Sequence, residues 1–408
     1  MLLFGLVILI MAGCSNSAQN DGEDSAEPVP GVTDSEIVIG SWGPLTGPAA
    51  LWGNVMKGAD AYFKMLNDEG GINGRQVRFV MKDDAYDPSQ TVPAVRELVQ
   101  REEVFAVTAG IGTAPGMAVM DFLAENNVPW FCPMSGASAF THPPKENIYS
   151  VFPLYFDEAR VMVRYALDEL GTEKIGIIYQ NDDFGKSGLV GVKSILDERG
   201  LEFVASLPVE PTDSDLSSHV ARLKESGAET VFLWVLPRQA AITLGTSAVI
   251  DFAPNWFASL ALSDIALMHN ITKGAWEGVY FSYASPVLYS DTENETIARY
   301  KAAFEKYYPE DRWNNFAFTG MLMMEPFGDA LKASGRELTR ESVLEQLSMM
   351  NEFTSSVGIP MKFSADQHLG ARTIIVMRCI SATEAENISG LMEGDADIAA
   401  LDAMLKAD

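Results

Sequence analysis

Val104-Phe105-Ala106-Val107-Thr108-Ala109-Gly110-Ile111-Gly112-Thr113-Ala114-Pro115-Gly116 runs from an apolar, β-branched stretch into a glycine-rich loop and on into a segment of helical period ending near Asn126. Val128 to Cys132 then starts the cycle again and closes in Pro133-Met134-Ser135-Gly136-Ala137-Ser138. Strands that recur after a single helix lie parallel in one sheet, since the helix returns the chain to the edge it left. Both loops therefore sit at the carboxyl edge of that sheet, where open α/β domains hold ligands.

The alternation continues outward from this stretch. Upstream come Ile37 to Ser41, the helical segment Asn54 to Glu69, Val77 to Lys82 and the helical segment Ser89 to Arg101. Downstream the pattern starts afresh, with strands at Lys174 to Tyr179, Glu202 to Leu207, Thr230 to Val235 and Trp256 to Ser259 separated by segments of helical period. Strands this apolar are covered on both faces. The reading is α/β: two doubly wound, Rossmann-like lobes. The later pieces, strand-like Glu277 to Tyr283, Met361 to Phe363 and Thr373 to Ile380 and helical Glu293 to Tyr308, Phe316 to Ser334 and Thr339 to Met349, are too few for a third domain and are expected to complete the two sheets.

Charge and composition narrow the function. Lys and Arg number 29 against 56 Asp and Glu, a net charge of −27 over 408 residues, and no basic run exists to neutralise phosphates, so nucleic acid is excluded as a partner. With 47% hydrophobic and 21% charged residues the chain is globular. Its three cysteines separate by setting: Cys132 and Cys379 lie in apolar runs and read as buried small hydrophobes, whereas Cys14 closes an apolar run of secretory type from Leu2, too short to span a bilayer. Ser15 onward is polar and without period, which reads as a tether.

No enzyme signature emerges. There is no nucleophile elbow and no phosphate loop, and His142, His219, His269 and His368 lack ligand spacing and read as surface residues. Neither catalysis nor a metal or other cofactor is expected. The two loops carry the chemical signal instead: Gly112 and Thr113 open a helix whose first amides are unpaired, and Ser135, Gly136 and Ala137 end the next strand in the same way. One such loop is ordinary turn chemistry; two at one sheet edge make a ligand crevice.

Three further motifs, Gly43-Pro44-Leu45-Thr46-Gly47, Glu69-Gly70-Gly71-Ile72-Asn73-Gly74 and Lys82-Asp83-Asp84-Ala85-Tyr86-Asp87-Pro88, together with Met11-Ala12-Gly13-Cys14, resemble the extracytoplasmic binding proteins of the branched-chain amino acid ABC transporter family. The resemblance covers about Glu36 to Arg378. It implies a type I periplasmic-binding fold with three hinge crossovers, closing on a small molecule and delivering it to an ABC permease, with Cys14 lipidated and anchored in the membrane. The implied organisation is a signal peptide at 1–14, an acidic tether at 15–35, a first lobe from 36–152 plus 283–355, a second from 153–282 plus 356–380, and an acidic tail at 381–408.

The resemblance also implies ligand-binding roles. Trp52 matches an aromatic residue lining the ligand's side chain; Gly112 and Thr113 match a carboxylate-holding loop in which the family's usual Ser is here Gly112; Ser135, Gly136 and Ala137 match its second half; and Phe184 matches the aromatic cover of the second lobe. Tyr86 stands where the family has a Cys. Amino-acid binders place an acid after the strand Trp256 to Ser259, where this chain reads Leu260-Ala261-Leu262-Ser263-Asp264, so only Asp264 can serve, about three residues late. Arg238 falls at a cleft position and can meet a second carboxylate. The ligand expected is an amino acid or an apolar or aromatic carboxylate, with the carboxylate favoured. A ligand-sensing receptor subunit on the same fold is the alternative function.

Overall fold

The computed structural model describes residues 28–47 and 49–407. Cys14 and most of the expected tether lie outside the described residues. Five strands make the first sheet: β1 (Glu36–Gly43), β2 (Gln76–Asp83), β3 (Ala106–Thr108), β4 (Trp130–Phe131) and β5 (Ile148–Tyr149), all parallel, in the order β2-β1-β3-β4-β5. The second sheet repeats that order with β6 (Ile175–Gln180), β7 (Ala205–Val209), β8 (Thr230–Trp234), β9 (Asn255–Ala258) and β10 (Tyr280–Tyr283), running β7-β6-β8-β9-β10. Each sheet reverses direction once, between β1 and β3 and between β6 and β8, and the carboxyl ends of the strands flanking that reversal open a crevice.

The chain passes between lobes three times. Residues 150–154 lead from β5 to the helix Tyr155–Asp168 of the second lobe. After β10 the chain returns, and helices Glu295–Tyr307 and Asn315–Leu322 pack on the first-lobe helix Asn54–Asp68. The third passage comes later than the sequence suggests. The hairpin β11 (Phe353–Thr354) with β12 (Pro360–Met361) joins neither main sheet. Residues 356–370, expected with the second lobe, stay against the first: Ser356 N donates to the buried carboxylate of Glu325 (2.8 Å), and Leu369 bridges to Ser150 beside β5. The crossing falls at Ala371 to Thr373, where β13 (Thr373–Cys379) begins antiparallel to β10.

Residues 381–407, read as an acidic tail, also belong to the second lobe. β14 (Ala385–Asn387) and β15 (Met392–Glu393) pair with β13, and the C-terminal helix Ile398–Ala407 packs Leu401 against Val190 and Phe156. Its anchor is Asp157, which is fully buried: Arg372 donates twice to that carboxylate (2.7 and 2.6 Å) and Ala396 N once (2.9 Å). A charge so buried is tolerable only when both oxygens have partners. Asp402 on the C-terminal helix accepts from Ser138 of the first lobe, so the segment also touches across the cleft.

Cys132 and Cys379 are free and buried. His368 is buried rather than exposed, stacked on Tyr149 at 3.9 Å with Nδ1 between the carbonyls of Lys145 and Ile148. Among the described residues no group of His, Cys, Asp and Glu could hold a metal, and no helix is long and apolar enough to cross a membrane.

Candidate functional site

The loop after β1 is pinned before it reaches the cleft. Asp83, ending β2, accepts from the amides of Leu45 (2.9 Å), Thr46 (3.2 Å) and Ala85 (3.0 Å) and from the Thr46 hydroxyl (2.7 Å). Burial works against the charge of Asp83, but those donors outweigh it and hold the carboxyl below its ordinary value. The turn that follows at Ala50–Gly53 delivers Trp52, 8% exposed, against Phe316 at 4.7 Å between ring centres.

At the end of β3 the sequence suggests one helix from Ala114 to Asn126. The chain instead forms two short helices, Thr113–Met117 and Met120–Glu125, interrupted at Val119. A dipole built from five residues is weak, so hydroxyls and single amides carry the chemistry there. Thr113 Oγ1 and Ser135 Oγ, both buried, lie 2.8 Å apart, joining the β3 and β4 loops, and Ala137 N donates to Ser135 Oγ (3.2 Å). Tyr155, from the second lobe, turns its phenol to the same pair, and burial pushes that phenol up to about 12, so it remains a donor at neutral pH. Gly136 permits this approach: a Cβ there would stand 2.3 Å from the carbonyl oxygen of Pro153 and 2.7 Å from the Tyr155 ring.

The two departures noted at Tyr86 and Gly112 have one cause. Gly112 has φ +104°, and a Cβ on it would lie 2.7 Å from the Tyr86 ring. Tyr86 thus occupies the space that a side chain at 112 needs, and glycine supplies the conformation. The Tyr86 phenol reaches Gln180 of the second lobe and faces Asp182, which caps the helix Asp183–Arg199 by accepting from Gly185 N. Phe184 follows in the first turn of that helix and meets Tyr155 edge-on at 5.1 Å.

Some of these residues enclose one cavity between the lobes, whereas Thr113, Ser135, Gly136 and Ala137, expected to hold the ligand, are not on its lining. Trp52, Tyr86, Gly112 and Met134 line it from the first lobe, and Tyr155, Phe184, Leu236 and Ala261 from the second. A second cavity lies behind it at the hinge and shares Trp52 and Phe152. No Asp, Glu, Lys or Arg lines either one. Arg238 is exposed and sits at an outer opening with Leu51, Trp52 and Ile271.

Asp264 lines neither cavity. Its carboxylate accepts from Leu267 N (2.8 Å), Asn315 N (2.8 Å) and the Tyr289 hydroxyl (3.4 Å), capping the helix Ile265–Ile271 and tying it to the first lobe's helix Asn315–Leu322. A different acid approaches the turn after β9. Glu158, buried on the helix Tyr155–Asp168, accepts through Oε1 from Leu260 N and the Ser282 hydroxyl, each at 2.6 Å, while Oε2 has no partner. Burial raises its pKa from 4.5 to about 7. Sequence reasoning missed Tyr155 and Glu158. Both stand in the first turn of an amphipathic helix, and only the packing of that turn against the crossovers gives them their settings.

Known proteins share this architecture. The family model described as periplasmic binding protein matches residues 36–384. A Leu/Ile/Val-binding protein homolog of Brucella melitensis is 33% identical over 199 residues, 48% of this chain and 54% of that protein, and one of Brucella abortus is 24% identical over 82% of this chain and 86% of that protein. The matched part thus spans about half the length of the first relative. Among solved structures, a fatty acid ABC transporter substrate-binding protein from Thermomonospora curvata superposes with a TM-score of 0.82 at 24% identity, covering 93% of this chain and 97% of that one. A branched-chain amino acid ABC transporter protein from Thermus thermophilus, with bound valine, gives 0.80 at 18% identity, covering 90% and 98%. At these identities the superpositions speak for the fold. Two lobes of matching strand order, three crossovers, a cleft lined from both sides and a family match over most of its length show that this chain belongs to the periplasmic binding protein family.

Proposed function

We propose that the chain is the capture subunit of an ABC importer, held outside the cytoplasm by a lipidated Cys14, and that it closes about its hinge on a small apolar or aromatic carboxylate. One observation carries the ligand class: the cavity between the lobes has aromatic and apolar walls, the phenols of Tyr86 and Tyr155 as its hydroxyls, and no acidic side chain among the described residues, with the Thr113 and Ser135 hydroxyls next to its Gly112 and Met134 wall. A carboxylate can take the place of the hydrogen bond that Thr113 and Ser135 now make with each other, with Tyr155 donating from the opposite lobe. Trp52 and Phe184 supply surface for the rest of the molecule. An α-ammonium would lack an anion, and an unpaired buried charge costs several kcal/mol. Asp264 is committed to Leu267 and Asn315, and Glu158 lies behind the Leu260 amide.

Thermal unfolding tests the ligand class. At a hundredfold excess over Kd a ligand stabilises its protein by about 2.7 kcal/mol. The melting temperature should rise with 3-phenylpropionate and rise less with leucine at equal concentration. A larger rise with leucine returns the protein to the amino-acid class. Anchoring has its own test: Cys14→Ala should move the protein from the membrane to the soluble extracytoplasmic fraction, and a variant as membrane-bound as the parent rules out lipidation at Cys14.

A further inference from the structure

The cavity at the hinge borders the cleft and shares two wall residues with it. Its walls are supplied by all three passages between the lobes, Phe152 from the first, Ala284 from the second, Ala371 and Thr373 from the third, and by Met361 of the β11–β12 hairpin. Leu322 and Met323 close it from the helix side. Trp52 and Phe152 border both cavities and form the partition between them.

The lining is largely apolar but also carries Ser263, Tyr283, Ser285, Asn315 and Thr319, and two of its polar atoms are unpaired among the described residues. Trp52 Nε1 and Thr373 Oγ1 belong to residues on the wall, are out of contact with solvent, and have no hydrogen-bond partner. Protein interiors are packed nearly as densely as organic crystals and rarely leave a void beside unpaired polar atoms. Methionine walls adapt readily to what enters, because three rotatable bonds let the thioether swing aside.

We propose that the ligand's apolar tail passes between Trp52 and Phe152 into the hinge chamber while its carboxylate stays at Thr113, Ser135 and Tyr155. This rests on the carboxylate reading above and extends it: the ligand is a monocarboxylate with a tail longer than the side chain of leucine. The tail touches all three crossovers at once, so filling the chamber favours one hinge angle, and the ligand's differential contact with the closed form drives closure.

Calorimetric titration of the full chain with straight-chain acids from butanoate to decanoate tests this. Each methylene buried in an apolar chamber is worth about 0.8 kcal/mol, so affinity should rise about fourfold per added carbon and level off once the chamber is full. In Ala284→Leu, whose larger side chain fills the chamber, the gain per carbon should shrink. Butanoate binding with affinity flat or falling as the chain grows overturns the tail site and leaves the head-group reading intact. An equally steep series in Ala284→Leu overturns it too. Failure of every acid, butanoate included, overturns the carboxylate reading and the tail site together.

Discussion

Thr113 and Ser135 hydrogen-bond to each other across the β3 and β4 loops. Thr113→Val should weaken carboxylate binding by about 1–3 kcal/mol, the usual cost of an unpaired buried polar group, and calorimetry should find it with little change in the ligand-free melting temperature. Ser135→Ala should cost as much affinity and some stability besides, because Ala137 N loses its acceptor. Equal losses of stability and affinity in Thr113→Val would assign that residue to the fold alone. Glu158 predicts a pH effect. Its folded pKa of about 7 lies above the 4.5 of the unfolded chain, so the native state holds the extra proton between those values. The stabilisation is complete below about pH 4.5 and is lost as pH rises through 7, amounting to about 3 kcal/mol. Glu158→Gln keeps an acceptor for Leu260 N and cannot titrate, so denaturant midpoints between pH 5 and 8 should lose this slope. A slope equal to the parent's would place the effect elsewhere.

Helices, strands and crossovers were legible to different degrees. The alternation that predicts two doubly wound lobes depends on local period, and most strands lie where an apolar run stands, from β1 over Ile37 to Ser41 to β13 over Thr373 to Cys379, whereas the short β5 (Ile148–Tyr149) was not expected and β7 (Ala205–Val209) begins three residues later than its run. What failed to read was set by distant partners. Nothing in residues 114–126 announces the break at Val119, and residues 356–370 hold to the first lobe through Glu325 and Ser150, far away in sequence. The C-terminal segment looked like a tail because its composition is acidic, whereas Asp395 is paired with Arg160 and Arg164, which hold its carboxyl well below the usual range. Its attachment is testable through Asp157. Asp157→Ala leaves Arg372 and Ala396 N without their acceptor and should cost about 3 kcal/mol, the lower end for a broken buried pair because Arg372 is partly exposed. Limited proteolysis should then cut within residues 381–407 of the variant before it cuts the parent, and identical cleavage patterns would show that the C-terminal helix holds by Leu401 and its apolar neighbours alone.

At the scale of the whole molecule, both sheets reverse at the same position in their strand order, and the strand ends beside the two reversals face each other across the cleft. Residues from the β1, β3 and β4 ends meet residues from the β6, β8 and β9 ends, so a molecule in the cleft touches both lobes only when they are together. Tyr86 to Gln180 and Ser138 to Asp402 add direct contacts between lobes. The motifs at Gly43 and Lys82 made the cleft's first-lobe side readable, but the second-lobe side, where Tyr155 turns its phenol toward Thr113 and Ser135, could be seen only once the lobes were assembled. Small-angle X-ray scattering of the full chain, without ligand and with saturating 3-phenylpropionate, tests capture by closure most directly. The radius of gyration should fall on saturation as the open population is drawn into the closed form; an unchanged radius of gyration at a concentration where calorimetry shows the site to be full would contradict it.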